Sequence, residues 1–98
     1  MREVFLVSGD KKQKAEDLLK KDDITMRQSI VTRMCSSLGF EEDGFFIIIS
    51  GSDDAVKRAK ELLKELALPY KNKEKVLKRN DEIEDQATSG FGFIFENK

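Results

Sequence analysis

The side chains able to do chemistry are few. The chain has no histidine and no tryptophan, one cysteine (Cys35) and one tyrosine (Tyr70). Imidazole-assisted nucleophiles and ordinary zinc sites are therefore excluded. Cys35 stands beside the apolar positions Met34 and Leu38, the setting of a small buried hydrophobe rather than a reactive thiol. Carboxylates remain. Asp10 and Asp53 each follow a glycine that closes an apolar run, and Glu41, Glu42 and Asp43 cluster in one turn. A divalent cation would want such oxygens, but the spacing matches no calcium loop, and helix capping or a solvated turn accounts for the same residues. Ser8-Gly9 and Ser50-Gly51-Ser52 offer amides to an anion, yet an aspartate at each helix start already occupies that field. The expectation is a noncatalytic chain with no metal and no cofactor.

Binding chemistry is better represented. Lys71, Lys73, Lys75, Lys78 and Arg79 form a basic block, followed by the acidic Asp81, Glu82, Glu84 and Asp85. Phosphates are the natural partner of the first group, and Phe91 and Phe93 nearby offer rings for base stacking. Against a strong nonspecific grip on nucleic acid stands the balance of 18 basic and 19 acidic residues, a formal net charge of −1.

The elements that would position these residues follow from hydrophobic spacing. Five consecutive large apolar residues, Phe45 to Ile49, suit a strand buried on both faces, and Ser50-Gly51-Ser52 ends it. From Asp53 the apolar positions Ala55, Val56, Ala59, Leu62, Leu63 and Leu66 make one helical stripe, which Pro69 is expected to stop. Glu3 to Ser8 reads as a first strand, and Asp10 with Gln13 as a capping box for a short helix bearing Ala15, Leu18 and Leu19. Thr25 and Gln28 suggest a second capping box, and Met26, Ile30, Met34 and Leu38 recur every four residues, which predicts a helix closed by Gly39. A sparse stripe of Val76, Leu77, Ile83 and Ala87 predicts a helix over part of 73–86. Phe91 to Phe95 reads as a terminal strand with three phenylalanines on one face.

These elements predict a single small α+β domain over residues 1–98, with a three-stranded, mostly antiparallel sheet and three or four helices packed mainly on one face. Ninety-eight residues, 39% apolar and 38% charged, suit one modest core. A single cysteine and the absence of any long apolar run predict a cytoplasmic protein without a membrane partner.

Two partial resemblances bear on function. IIISGSDDAVKRAKELLKEL resembles the closing strand and helix of KH-type RNA-binding domains at Gly51, Val56 and Ala59, within residues 45–66. That family grips nucleic acid with a G-x-x-G loop between its first two helices, where this chain has Lys20-Lys21-Asp22-Asp23-Ile24. SGFGFIFE, residues 89–96, resembles the longer RNA-recognition-motif signature at Gly90, Phe91, Gly92 and Phe93, and VFLVSG, residues 4–9, resembles the shorter one. The resemblance implies base stacking by Phe5, Phe91 and Phe93; packing of the same rings into a core is the expectation from burial alone.

The function expected from the sequence is a small noncatalytic binding or interaction module. RNA binding by a KH-like or ferredoxin-like architecture is the first alternative. The second is a homo-oligomer or protein-partner subunit that covers the terminal strand 91–95, since a bare edge of that composition invites aggregation.

Overall fold

The most apolar runs become the middle of the sheet. In the computed structural model, the backbone is described for residues 1–96 and the side chains for residues 1–84. Arg2–Val7 (β1) and Phe45–Ser50 (β3) pair antiparallel, Phe5 opposite Ile47 and Val7 opposite Phe45. Ser29–Met34 (β2) lies outside β3, and Ala67–Pro69 (β4) outside β1, giving the order β2-β3-β1-β4 with every neighbouring pair antiparallel. Helices Lys12–Lys21 (α1) and Asp53–Leu63 (α2) follow β1 and β3, and Lys73–Glu96 (α3) follows β4. Short 3₁₀ turns at Thr25–Arg27 and Cys35–Leu38 flank β2. Without α3 this is the split βαβ connectivity of ferredoxin-like architectures.

Because strand side chains alternate, β1 and β3 feed two cores. Phe5, Val7, Ile47 and Ile49 are buried with Ala15 and Leu19 of α1 and Val56, Ala59 and Leu63 of α2. On the opposite face Val4, Phe46 and Ile48 are buried with Cys35, Leu38 and Val76, the last from α3. Each fully buried Val, Leu, Ile or Phe among them contributes about 1.5–3 kcal/mol, so both layers matter to stability.

The class is as expected, but the sheet has four strands and its helices lie on both faces, α3 covering the face opposite α1 and α2. Residues 25–38 hold β2 between two 3₁₀ turns instead of a helix. A step of four returns to the same side in a strand as well as nearly so in a helix, and the β-branched run Ile30, Val31, Thr32 decides for the strand. The terminal strand 91–95 is also not present: α3 runs through it to Glu96. Phe91, Ile94 and Phe95 satisfy i, i+3, i+4 spacing, the slot beside β1 belongs to β4, and an existing helix propagates far more easily than a new element starts.

Smaller signals also differ. Helix α2 ends at Leu63, and Pro69 lies in β4. Its N-cap is Ser52, whose Oγ accepts from the Ala55 amide at 3.2 Å, with Asp53 and Asp54 in the first turn where the dipole favours them. Helix α1 has no side-chain cap, and Gln13 donates to Asp17 instead of reaching back. Gly39 closes the second 3₁₀ turn at φ 81°, as a left-handed glycine should. No helix among the described residues is long and apolar enough to cross a membrane.

Candidate functional site

The two sheet edges differ in how they are finished. Tyr70 donates its amide to the Val4 carbonyl at 2.9 Å, in register with Leu6 opposite Leu68. Alternation then turns the backbone of Pro69 outward, at the position where a proline removes the free N–H. With only three residues and this proline, β4 is a blunted edge.

Strand β2 is not blunted. It is six residues long, pairs along its whole length with β3, and carries neither proline nor lysine. Cys35 donates its amide to the Gly44 carbonyl at 3.0 Å, which marks that pair as hydrogen-bonded. By alternation Val31 and Arg33 turn their backbone groups to β3, while Ile30, Thr32 and Met34 turn theirs away from the sheet. Among the described residues only the Met34 carbonyl has a partner on that side, the Ser37 hydroxyl at 2.6 Å.

Side chains from both layers hold β2 in place while its outer backbone stays open. Ile30 packs on the α1/α2 core and Val31 on the α3 core. Thr32 donates to Glu16 of α1 at 3.3 Å, and Arg33 donates to Asn80 of α3 at 2.7 Å and pairs with Glu84 at 3.5 Å. The turn that feeds the strand is equally fixed: Asp22 accepts from the amides of Ile24 and Thr25, both at 3.1 Å, and from Arg58 at 3.0 Å. The Thr25 amide does most to hold the Asp22 carboxyl below its ordinary pKa. Thr25 itself is buried and donates its hydroxyl to the Leu19 carbonyl. This scaffold leaves Ile24, Met26 and Met34 about half exposed, at 50%, 53% and 51%, at the two ends of the open edge.

A depression of about 500 Å³ lies at one end of the sheet, with Ser8, Gly9 and Asp10 on one side and Met34, Glu42 and Asp43 on the other. Gly44, also on its wall, has φ 110° and passes so close to Val7 that a Cβ would meet the Val7 carbonyl oxygen at 2.3 Å. Two of its three acids, Glu42 and Asp10, serve local contacts. Tyr70 donates a hydrogen bond to Glu42, which lowers the Glu42 pKa, and Ser8 is the main cause of the lowered Asp10 pKa. Among the described residues no group of three acids or thiols could hold a metal ion. Cys35 is buried, and desolvation, then the nearby Glu42 charge, pushes its thiol pKa up, away from the nucleophilic form.

The basic block is largely engaged within the molecule. Lys73 lies 3.8 Å from the buried Glu3, which also takes Lys60 at 3.1 Å. Lys75 sits over the Phe40 ring at 5.6 Å, and Arg79 donates to the Leu38 carbonyl at 3.1 Å and pairs with Glu82 at 3.6 Å. Lys71 and Lys78 are exposed. Phe5 is buried in the α1/α2 core. Phe91 and Phe93 belong to α3 by backbone, and their side chains lie outside the described residues.

Comparison with family models, with curated proteins and with solved structures finds no match to this chain. The β2 edge escaped prediction because its four-residue spacing fits two periods; the run Ile30-Val31-Thr32 was the available signal.

Proposed function

We propose that this chain is a noncatalytic interaction module that takes up an extended polypeptide segment along the outer edge of β2. The observation that carries it is the contrast between edges: β4 is short and ends in Pro69, whereas β2 presents the outward backbone groups of Ile30 and Thr32 beside half-exposed Met26 and Met34. A long, unprotected edge is a template for strand addition, in which main-chain bonds give affinity and flanking side chains give selectivity. The engaged acids around the sheet-end depression and the protonated, buried Cys35 favour binding over catalysis.

A random heptapeptide display library tests this reading. Strand-forming peptides rich in β-branched and aromatic residues are expected to be selected by the native chain and lost with Thr32→Pro, which removes an outward N–H. Peptides whose binding survives the proline, or no selection at all, would count against it. RNA binding through Lys71 to Arg79 receives less support, because three of the five cations already have partners within the protein.

A further inference from the structure

We propose that the segment completing the sheet at β2 is β2 of a second copy of this chain, joined antiparallel about a two-fold axis at Thr32. This rests on the strand-docking reading above and specifies its occupant. In an antiparallel pair, residues that face each other must lie on the same side of the sheet and must both turn their backbone groups toward the partner. In β2 the outward set is Ile30, Thr32 and Met34. One register uses all three at once: Thr32 opposite Thr32 of the other copy, and Ile30 opposite Met34 in both directions.

Side-chain chemistry selects the same register. Ile30 against Met34 covers a methionine that is 51% exposed in the single chain, and Thr opposite Thr is a favourable cross-strand pair. Shifting two residues one way places Arg33 opposite Arg33, a like-charge pair that opposes pairing. Shifting two residues the other way leaves Met34 opposite Gln28. In the central register Arg33 lies across from Val31, and its charge is already met by Glu84 at 3.5 Å. The Met34 carbonyl keeps a second lone pair beside the Ser37 hydroxyl for the incoming amide. A formal net charge of −1 gives two copies little mutual repulsion. The pairing yields one continuous sheet of two copies, with the Pro69-bearing β4 strands at its ends, where further addition stops. The strand contact is small, so the dimer belongs to the weak, concentration-dependent class.

Sedimentation equilibrium from micromolar to millimolar chain, with amide hydrogen exchange at both extremes, tests the proposal. The expected mass rises toward twice 11.2 kDa, and the amides of Ile30, Thr32 and Met34 gain protection on concentration while those of Val31 and Arg33 do not change. Thr32→Pro is expected to remain monomeric. If that variant fails to fold, the concentration dependence of exchange in the native chain decides alone. A mass fixed at one chain, or association that protects other amides, overturns self-pairing. A chain that stays monomeric yet selects strand peptides overturns this proposal and leaves the docking reading standing; a monomer that selects none overturns both.

Discussion

Tyr70 and Glu42 form a contact with a clean readout. Tyr70 is the only tyrosine and there is no tryptophan, so phenolate absorbance reports one site. The hydrogen bond to Glu42, with burial and the carboxylate charge adding to it, pushes the phenol from 10.0 up to about 12. A folded pKa raised above the unfolded one means that the contact's contribution is complete below pH 10 and is lost as pH rises through about 12. Glu42 is shifted the opposite way, so its contribution is present above the ordinary carboxylate range and is lost as pH falls through its lowered pKa. Alkaline titration should therefore show the phenolate appearing near pH 12 in the native chain and nearer 10 in Glu42→Gln. An unshifted native titration would refute the contact. Gly44 has a sharper constraint: Gly44→Ala should destabilise the chain by more than about 1 kcal/mol, measured by urea unfolding, because its positive φ and the nearby Val7 carbonyl both oppose a Cβ. At this scale the sequence was legible where a residue had one physical use. Cys35 is buried and Gly39 is left-handed, as expected. It was misleading where a side chain had two: Thr25 can cap a helix or bond back to Leu19, and it does the second.

At the level of elements, β1 and β3 were legible as short apolar runs and α1 and α2 as single helical stripes, although neither the expected cap of α1 nor the expected stop of α2 at Pro69 is the end that formed. Ser52→Ala tests the start of α2. Losing the bond from the Ala55 amide should cost about 0.5–2 kcal/mol, seen as a lower urea midpoint at unchanged slope. The middle of β3 carries more weight: Ile47 is buried against the α1/α2 core, and Ile47→Ala should cost about 2–5 kcal/mol. Strand β2 and the C-terminal half of α3 were not legible. Their apolar residues satisfy both helical and extended spacing; pairing with β3, which a local pattern does not contain, made the choice for β2, and continuation of an existing helix made it for α3. The candidate site sits on one of these ambiguous elements. Its side chains were all visible in the sequence, but an edge is a property of strand order, and strand order appears only once β4 has taken the position beside β1.

For the whole molecule, the decisive feature is that α3 turns a two-layer arrangement into three layers. RNA-recognition-type domains use one face of a four-stranded sheet as a stacking platform. Here that role would fall to a face whose residues Val4, Phe46 and Ile48 are buried together with Val76 of α3. Phe5, on the strand resembling the shorter signature, points into the other core, and the stretch resembling the longer signature is helical. The remaining route is electrostatic, and Lys71 and Lys78 are its only basic-block members without an internal contact among the described residues. Two exposed lysines release few counterions, and at an ionic strength of about 0.15 M their field falls off within roughly 8 Å. Single-stranded RNA should therefore show no measurable anisotropy change on titration with the native chain at physiological salt, and Lys71→Ala with Lys78→Ala should titrate identically. Saturable binding that weakens with salt and is lost in the double variant would instead place the working surface on the start of α3 and the turn before it, and would move the functional assignment there from the β2 edge.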